Sequence, residues 1–151
     1  MDFKKLANQY RDELLDNVLP FWLEHSQDIE FGGYFSCLDR EGKVFDTDKF
    51  IWLQGREVWM FSMLYNKVEK RQEWLDCAVQ GGEFLKKYGH DGNYNWYFSL
   101  DRSGRPLVEP YNIFSYTFAT MAFGQLSLAT GNQEYADIAK KTFEIILSKV
   151  D

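Results

Sequence analysis

The sequence predicts a mainly α-helical protein in which inner and outer helices alternate, with short β-hairpins at one rim. Two observations support this prediction. A hairpin followed by an apolar helix and then a more amphipathic helix occurs twice along the chain. The first apolar helix, which contains residues 49–59, has apolar side chains nearly all round, as is typical of an inner helix. Units of this kind stack side by side, and their natural closed form is a ring of helix pairs, an α/α barrel.

The composition is that of a globular protein with an unusual share of aromatic residues. The chain has 151 residues, which we treat as a single unit, and its five Trp, nine Tyr and thirteen Phe make up 18% of it. Aromatic faces commonly line sugar sites, although core packing alone also uses them. The net charge of −6, without a Lys/Arg cluster, argues against a nucleic-acid partner.

The sequence also lacks the apolar core of a signal peptide and the long apolar run of a membrane span, so we expect a cytoplasmic protein with no membrane partner. Its two cysteines, Cys37 and Cys77, have no metal-ligand spacing, and we expect two buried, inert thiols and no metal site.

The first part of the chain predicts a helix and a hairpin. Asp2 is a suitable N-cap for residues 3–18, whose apolar side chains repeat at helical spacing. Pro20 ends or kinks this helix, and residues 21–25 continue the helical pattern for another turn. Two short apolar runs around residues 39–42 then predict a β-hairpin.

Four further helices follow from the same periodicity. We expect Asp46 or Asp48 to cap the helix that contains residues 49–59 and that runs to about Val68. The other predicted helices are 72–88, 113–129, closed by Gly131, and 133–150.

The hairpin itself is repeated. The frame Tyr-Phe-Ser…Leu-Asp-Arg-x-Gly occurs at residues 34–42 and again at 97–104, with one residue deleted. Two hairpins that share Asp-x-x-Gly turn chemistry by chance are the alternative interpretation. Because a stack of this kind needs three or more units, we expect this chain to be the N-terminal part of a longer protein.

Arg56 is the main candidate for a functional residue. At about 100° per residue, Trp52, Arg56, Trp59 and Met63 fall on one stripe of the predicted helix. An arginine inside a buried helix is costly unless it has anionic or polar company. A cavity for a polyhydroxylated ligand would provide it, and the structural alternative is an ion pair with a nearby carboxylate such as that of Asp48.

Several motifs together resemble the N-acylglucosamine 2-epimerases over essentially the whole chain. They are Phe-Trp-Leu-Glu-His (21–25), Gly-Gly-Tyr-Phe (32–35), Leu-Asp-Arg-Glu-Gly (38–42), Lys-x-x-Trp-Leu-Gln-Gly-Arg-x-x-Trp (49–59) and Tyr-Asn-Ile-Phe-Ser (111–115). The resemblance implies the N-terminal portion of an (α/α)6 barrel. It also implies reversible epimerisation of N-acetylglucosamine and N-acetylmannosamine at the second sugar carbon.

The resemblance implies a role for several residues. Arg56 matches the family's catalytic arginine, which holds substrate hydroxyls or stabilises the developing oxyanion. We expect the substrate to be bound by Trp52, Gln54, Trp59, Ser115 and Tyr116. Gln54 lies about 200° from Arg56 around the helix, so it is also suited to supporting the wall. Tyr116 stands where the family usually has a small or acidic residue, and it either reaches the cavity or packs.

Two acid/base groups are also needed, and the family's histidines lie in the second half of its barrel. We interpret His25 and His90 as structural, so we do not expect this chain to epimerise sugars by itself. The resemblance implies no required cofactor and a homodimer. ATP modulates some members, but the sequence has no phosphate-binding glycine loop.

Two other functions remain open at this point. A glycoside hydrolase on a similar barrel would need a facing pair of carboxylates, for which Glu57, Asp46, Asp48 and Glu83 are candidates. A non-catalytic sugar-binding module would use the aromatic wall without any chemistry.

Overall fold

The computed structural model describes residues 1–149. The helices are α1 (Phe3–Glu13), a π-helical turn (Leu14–Val18), α2 (Leu19–His25), α3 (Ile51–Lys67), α4 (Gln72–Tyr88), α5 (Phe114–Thr130) and α6 (Gln133–Ser148). The short strands are β1 (Cys37–Leu38), β2 (Val44–Asp46), β3 (Lys49–Phe50), β4 (Ser99–Leu100) and β5 (Pro106–Val108). The mainly α class with short hairpins is confirmed.

The first helical segment continues past its proline. Asp2 caps α1 as predicted, because its carboxylate accepts hydrogen bonds from the backbone N–H groups of Lys4 and Lys5 at 3.1 Å. Pro20 does not end the segment. It lies in the first turn of α2, just after the π-helical turn, where a missing N–H costs little. The predicted continuation to His25 is confirmed.

The helix that contains Arg56 begins later than predicted. Lys49 and Phe50 form β3, which pairs antiparallel with β4, and α3 starts at Ile51. The predicted cap by Asp46 or Asp48 is wrong, because the N-cap residue is Phe50 and no side chain in the described part of the chain caps the helix. Asp46 instead accepts a hydrogen bond from the backbone N–H of Asp48 within the loop.

The later helices agree with the sequence. The bounds of α4 are those predicted. Helix α5 ends at Thr130, and its C-cap is Gly131, which adopts a left-handed conformation with φ of 71°. The described part of α6 ends at Ser148, and the predicted final residue, Val150, lies outside the described residues.

The repeated hairpins have the same turn. The Asp39 carboxylate accepts from the N–H of Lys43 at 2.8 Å, and the Asp101 carboxylate accepts from the N–H of Arg105 at 2.9 Å. Each turn closes on a glycine of positive φ, Gly42 or Gly104. The repeat inferred from sequence is therefore also a structural repeat.

The helices form two layers. The inner helices α3 and α5 pack directly against each other, while α4 packs on α3 and α6 packs on α5. Gly55 allows the inner pair to approach closely, since a Cβ there would lie 3.0 Å from the backbone of Phe118. The core between the layers includes Val58, Phe61, Trp74 and Phe123, all of them almost completely buried.

A buried charge cluster joins the two hairpins to the helices. Lys49 is fully buried, and its ammonium donates to Asp28 Oδ2 at 2.9 Å and to the carbonyl oxygens of Gly32 and Arg102. The Arg102 guanidinium also donates to Asp28, at 3.0 and 3.1 Å. Because these residues come from three separate loops and strands, the cluster fixes the hairpin rim against α3.

One face of the inner layer carries exposed apolar side chains. On α5, Phe114, Met121 and Leu128 are exposed and lie on a single stripe. Within residues 1–149, none of the helices has the length and apolar character needed to cross a membrane.

Candidate functional site

The stripe of α3 that carries Arg56 faces away from the core. The buried residues of α3 lie on the opposite side and include Gln54, Val58 and Phe61. Arg56 is exposed, and Trp52 and Trp59, one turn to either side, are only partly buried. The expectation that Arg56 is buried is therefore wrong, since the inner helix has one open face.

Arg56 has no ion-pair partner among the residues that the structure describes. Among residues 1–149, Arg56 takes part in none of the ion pairs or side-chain hydrogen bonds. The ion pair considered from the sequence, with Asp48, is absent from this part of the chain. Its guanidinium is thus available to an anionic or strongly polar ligand.

Arg56 lines a cavity of about 400 Å³ between α2, the first hairpin and α3, which we call the Arg56 cavity. Its walls are formed by Trp22, Ser36, Leu53, Arg56, Glu57, Trp59 and Met60. The Ser36 hydroxyl is buried and has no hydrogen-bond partner among the described residues. The cavity therefore combines a cation, two indole rings and a free hydroxyl, which suits a ligand with both polar groups and an apolar ring face.

Glu57 is the acidic group of this cavity. Burial raises its pKa to about 8, and the hydrogen bond with the Ser26 hydroxyl, which favours the charged form, offsets only part of this rise. From the sequence, Glu57 was only a candidate for a hydrolase carboxylate. Its hydrogen-bond partner, Ser26, is far from it in the chain, so no local signal in the sequence marks its raised pKa.

Gln54 holds the segment before β1 against α3. Its amide oxygen accepts from the Tyr34 N–H and its amide nitrogen donates to the Tyr34 carbonyl, both at 2.8 Å. The residue is fully buried, and both ends of its amide are occupied. This geometry argues against the expected direct contact with a substrate and agrees with the position of Gln54 on the far side of the helix.

Trp52 faces a different cavity, of about 360 Å³, lined by Trp52, Phe98, Asn112, Phe114 and Phe118. Its ring lies 5.8 Å from that of Phe118, centroid to centroid. Trp52 and Arg56 nevertheless lie one helical turn apart on the same stripe, or about 6 Å along the axis.

Ser115 and Tyr116 lie apart from Arg56. Both are 2% exposed, and Tyr116 lines a cavity of about 630 Å³ whose other walls include Asp91, Asn95 and Lys149. The Tyr116 hydroxyl donates to Asn95 Oδ1 at 3.4 Å. Tyr116 thus packs and also reaches a cavity, but not the Arg56 cavity. Substrate contact by Ser115 and Tyr116 stays a prediction, and the structure does not bring them to Arg56.

The two histidines have structural surroundings. His25, at the end of α2, packs its ring on Phe21. His90 stacks on Tyr94, with ring centroids 4.8 Å apart, and its Nδ1 accepts from the Gly92 N–H. Burial lowers the pKa of His90. Neither histidine lines the Arg56 cavity.

The cysteines differ from each other in burial. Cys77 is fully buried, and burial raises the pKa of its thiol well above the usual range. Cys37 is only partly buried, so the expectation of two buried thiols holds for Cys77 alone.

Comparison with known proteins places these features in a family. The family model of N-acylglucosamine 2-epimerase (GlcNAc 2-epimerase) matches residues 33–151. The chain is 44% identical over 140 residues to N-acylglucosamine 2-epimerase of Mus musculus, which covers 90% of this chain and 33% of that protein. It is likewise 44% identical over 137 residues to N-acylglucosamine 2-epimerase of Homo sapiens, covering 88% of this chain and 32% of that protein.

A solved structure, that of cellobiose 2-epimerase from Bacillus thermoamylovorans, superposes with a TM-score of 0.86 at 30% identity. The match covers 95% of this chain and 37% of that one. The chain therefore spans about a third of the length of the relatives it matches, and the expected N-terminal portion of an α/α barrel is confirmed.

Proposed function

This chain belongs to the N-acylglucosamine 2-epimerase family, and we propose that it forms one wall of the sugar site of a 2-epimerase that interconverts N-acetylglucosamine and N-acetylmannosamine. The observation that carries the proposal is Arg56, an exposed cation that forms no ion pair within residues 1–149 and that two tryptophans flank on the open face of α3. The higher identity to N-acylglucosamine epimerases than to cellobiose 2-epimerases supports an amino sugar as substrate.

In the proposed reaction the sugar opens to its aldehyde and loses a proton from the second carbon. The electron pair moves onto the aldehyde oxygen, which develops negative charge as an enolate forms between the first two carbons, and the second carbon keeps its N-acetyl group. Arg56 is suited to stabilise that oxygen, because a cation beside the developing negative charge favours the transition state over the uncharged aldehyde. Return of a proton to the opposite face gives the epimer, so no oxidant or reductant is consumed.

The tryptophans contribute binding. Sugar rings present a face of C–H groups, and the indole rings of Trp52 and Trp59 offer a broad apolar surface on either side of Arg56. A sugar held this way keeps its first two carbons near the guanidinium. We therefore expect that replacing Trp52 or Trp59 weakens sugar binding more than it slows the chemical step.

The proton transfers need groups with pKa values near neutrality. His25 and His90 are engaged elsewhere, so the proposal assigns these transfers to the two-thirds of the relatives' length that this chain does not span. We also propose, from the family alone, a cytoplasmic homodimer that needs no cofactor.

The geometry does not favour the glycoside hydrolase. That reaction needs two carboxyl groups about 5 to 9.5 Å apart across one cleft. Glu57 and Glu83 line different cavities, and the Asp46 carboxylate accepts a hydrogen bond from the backbone N–H of Asp48 at the end of β2. Glu83 accepts a hydrogen bond from Tyr135 and pairs with Lys86.

Incubation with N-acetylmannosamine tests the proposal. We expect N-acetylglucosamine to form with the chain extended to the relatives' full length and not with the 151-residue chain alone. In the extended protein, Arg56→Ala should lower turnover at least about a hundredfold, the size of effect typical for loss of an oxyanion donor. Arg40→Ala, at an exposed arginine of the first hairpin, is the matched control. Unchanged turnover in Arg56→Ala would contradict the proposal, and cleavage of a glycoside would favour the hydrolase.

A further inference from the structure

The Ser26 hydroxyl lies between two oxygen atoms. It is 2.6 Å from the Trp22 carbonyl oxygen and 2.5 Å from Glu57 Oε1, and Ser26 is fully buried. A hydroxyl has one proton to donate. The carbonyl oxygen of Trp22 is only an acceptor, so the Ser26 proton points to Trp22. The proton between Ser26 and Glu57 must then belong to Glu57.

We infer that Glu57 is held as a neutral carboxylic acid that donates to Ser26, and that its neutrality keeps Arg56 without a counter-ion in the cavity they share. Glu57 is thus a positioning residue for Arg56. The use of Arg56 by a sugar rests on the proposed function, whereas the protonation of Glu57 does not.

The groups around Glu57 agree with a neutral carboxyl. Ser26 and Trp22 face it from the end of α2, Tyr34 from the segment before β1, and Cys77 from α4. None of these carries a positive charge, and His25 turns its ring to Phe21 instead.

Charge on Glu57 would affect its neighbours. The pKa values of the Tyr34 phenol and the Cys77 thiol are both raised, first by burial and also by the nearby Glu57. Both groups are therefore neutral at physiological pH and provide no compensation for a carboxylate. Burial raises the pKa of Glu57 to about 8 in the same way.

Ionisation would change the cavity. A carboxylate can only accept hydrogen bonds, and the donors at hand are the Ser26 hydroxyl and the charged group that lines the same cavity, Arg56. Pairing with Glu57 would neutralise Arg56 and remove it from a ligand oxygen. At neutral pH the protonated Glu57 prevents this competition, and above about pH 8 it no longer does.

The carboxyl carbon of Glu57, observed by ¹³C NMR between pH 5 and 9, tests the proton directly. The signal is identified by its loss in Glu57→Gln, and Glu144→Gln, at an exposed position of α6, is the matched control. We expect a protonated carboxyl at pH 7 and a midpoint near pH 8. A carboxylate at pH 7 would overturn the inference.

The Arg56 Nε–H signal, identified with Arg56→Lys, tests the link between the two residues without any sugar. It should shift with a midpoint near pH 8 in the wild type and stay fixed in Glu57→Gln. A signal that is fixed in both proteins, or that moves in both, overturns the positioning role.

Sugar binding provides the last measurement. Because the neutral fraction of Glu57 falls about tenfold between pH 7 and 9, the Kd for N-acetylmannosamine should rise about tenfold in the wild type. In Glu57→Gln the rise should be less than about twofold. Equal rises in both proteins overturn the inference. No sugar binding at any pH defeats the proposed function, and the two NMR titrations still decide the state of Glu57.

Discussion

Replacement of Asp28 by asparagine measures how much the buried charge cluster stabilises the fold. Asp28 is 1% exposed and accepts hydrogen bonds from the ammonium of Lys49 and the guanidinium of Arg102. Its oxygen Oδ1 also accepts from the backbone N–H groups of Glu30 and Phe31. Asp28→Asn leaves the ammonium of Lys49 buried, with carbonyl and amide oxygens as its remaining partners.

The size of the effect follows from the burial of each partner. Removal of one member of a buried ion pair costs about 3 to 5 kcal/mol, because the other charge stays desolvated. Arg102 is partly exposed and already contacts Glu30 at 2.9 Å. The loss of its ion pair with Asp28 should therefore cost at most about 1 kcal/mol. We expect Asp28→Asn to lower the free energy of unfolding by about 3 to 5 kcal/mol.

Urea unfolding followed by tryptophan fluorescence, with an unchanged m-value, is the assay. The double variant Asp28→Asn/Lys49→Met removes the stranded cation and should recover part of the loss. A loss below about 1 kcal/mol for Asp28→Asn, or a double variant no more stable than the single one, would refute the reasoning.

The pH dependence provides a second check on Asp28. Burial raises the pKa of Asp28, but the hydrogen bonds from Arg102, Lys49 and the Phe31 N–H outweigh it, so the pKa lies below its usual range. Its contribution to stability is therefore complete above the ordinary carboxyl pKa and is lost as the pH falls through the lowered value. Asp28→Asn should lack this acid-dependent part of the stability.

Three further predictions follow from individual residues. Gly81→Ala in α4 should destabilise by about 1 to 3 kcal/mol, because its Cβ would collide with the Tyr34 phenol. A Cβ at Gly124 in α5 would have no neighbour within 4 Å among residues 1–149, so Gly124→Ala should stabilise by up to about 1 kcal/mol in thermal or urea unfolding. Equal effects of the two substitutions would contradict this account. The pKa of Glu57 is raised from 4.5 to about 8. The free energy of unfolding of the wild type should therefore fall by about 1.4 kcal/mol per pH unit as the pH rises through that range. Urea titrations at several pH values should show this fall in the wild type and not in Glu57→Gln. The exposed apolar stripe of α5 should make the 151-residue chain self-associate or bind a hydrophobic dye. If light scattering shows a monomer and the dye does not bind, the claim that α5 exposes an apolar face is contradicted.

Features set by neighbouring residues could be predicted from the sequence. The apolar spacing in α4 gave its bounds at Gln72 and Tyr88, and the Asp and Gly of each hairpin gave its turn. The angle between Gln54 and Arg56 on one helix already indicated that the two side chains serve different faces. These properties depend on helical geometry and turn chemistry, which act over a few residues.

Features that join distant parts of the chain could not be predicted. Lys49 looks like the start of a helix, yet it pairs as a strand with Leu100 and its ammonium is buried against Asp28. The state of Glu57 likewise depends on Ser26, which lies 31 positions earlier. The exposure of Arg56 was missed because an apolar helix predicts burial on all sides, whereas α3 packs on one side only.

The most direct test of the central claim is incubation with N-acetylmannosamine in D₂O, followed by ¹H NMR at the second sugar carbon. The chain extended to the relatives' full length should give N-acetylglucosamine with deuterium at that carbon, and Arg56→Ala in the same protein should slow exchange and epimerisation together. The account is contradicted if Arg56→Ala forms the product at an unchanged rate. It is also contradicted if the extended protein is folded but neither exchanges the proton nor forms the epimer.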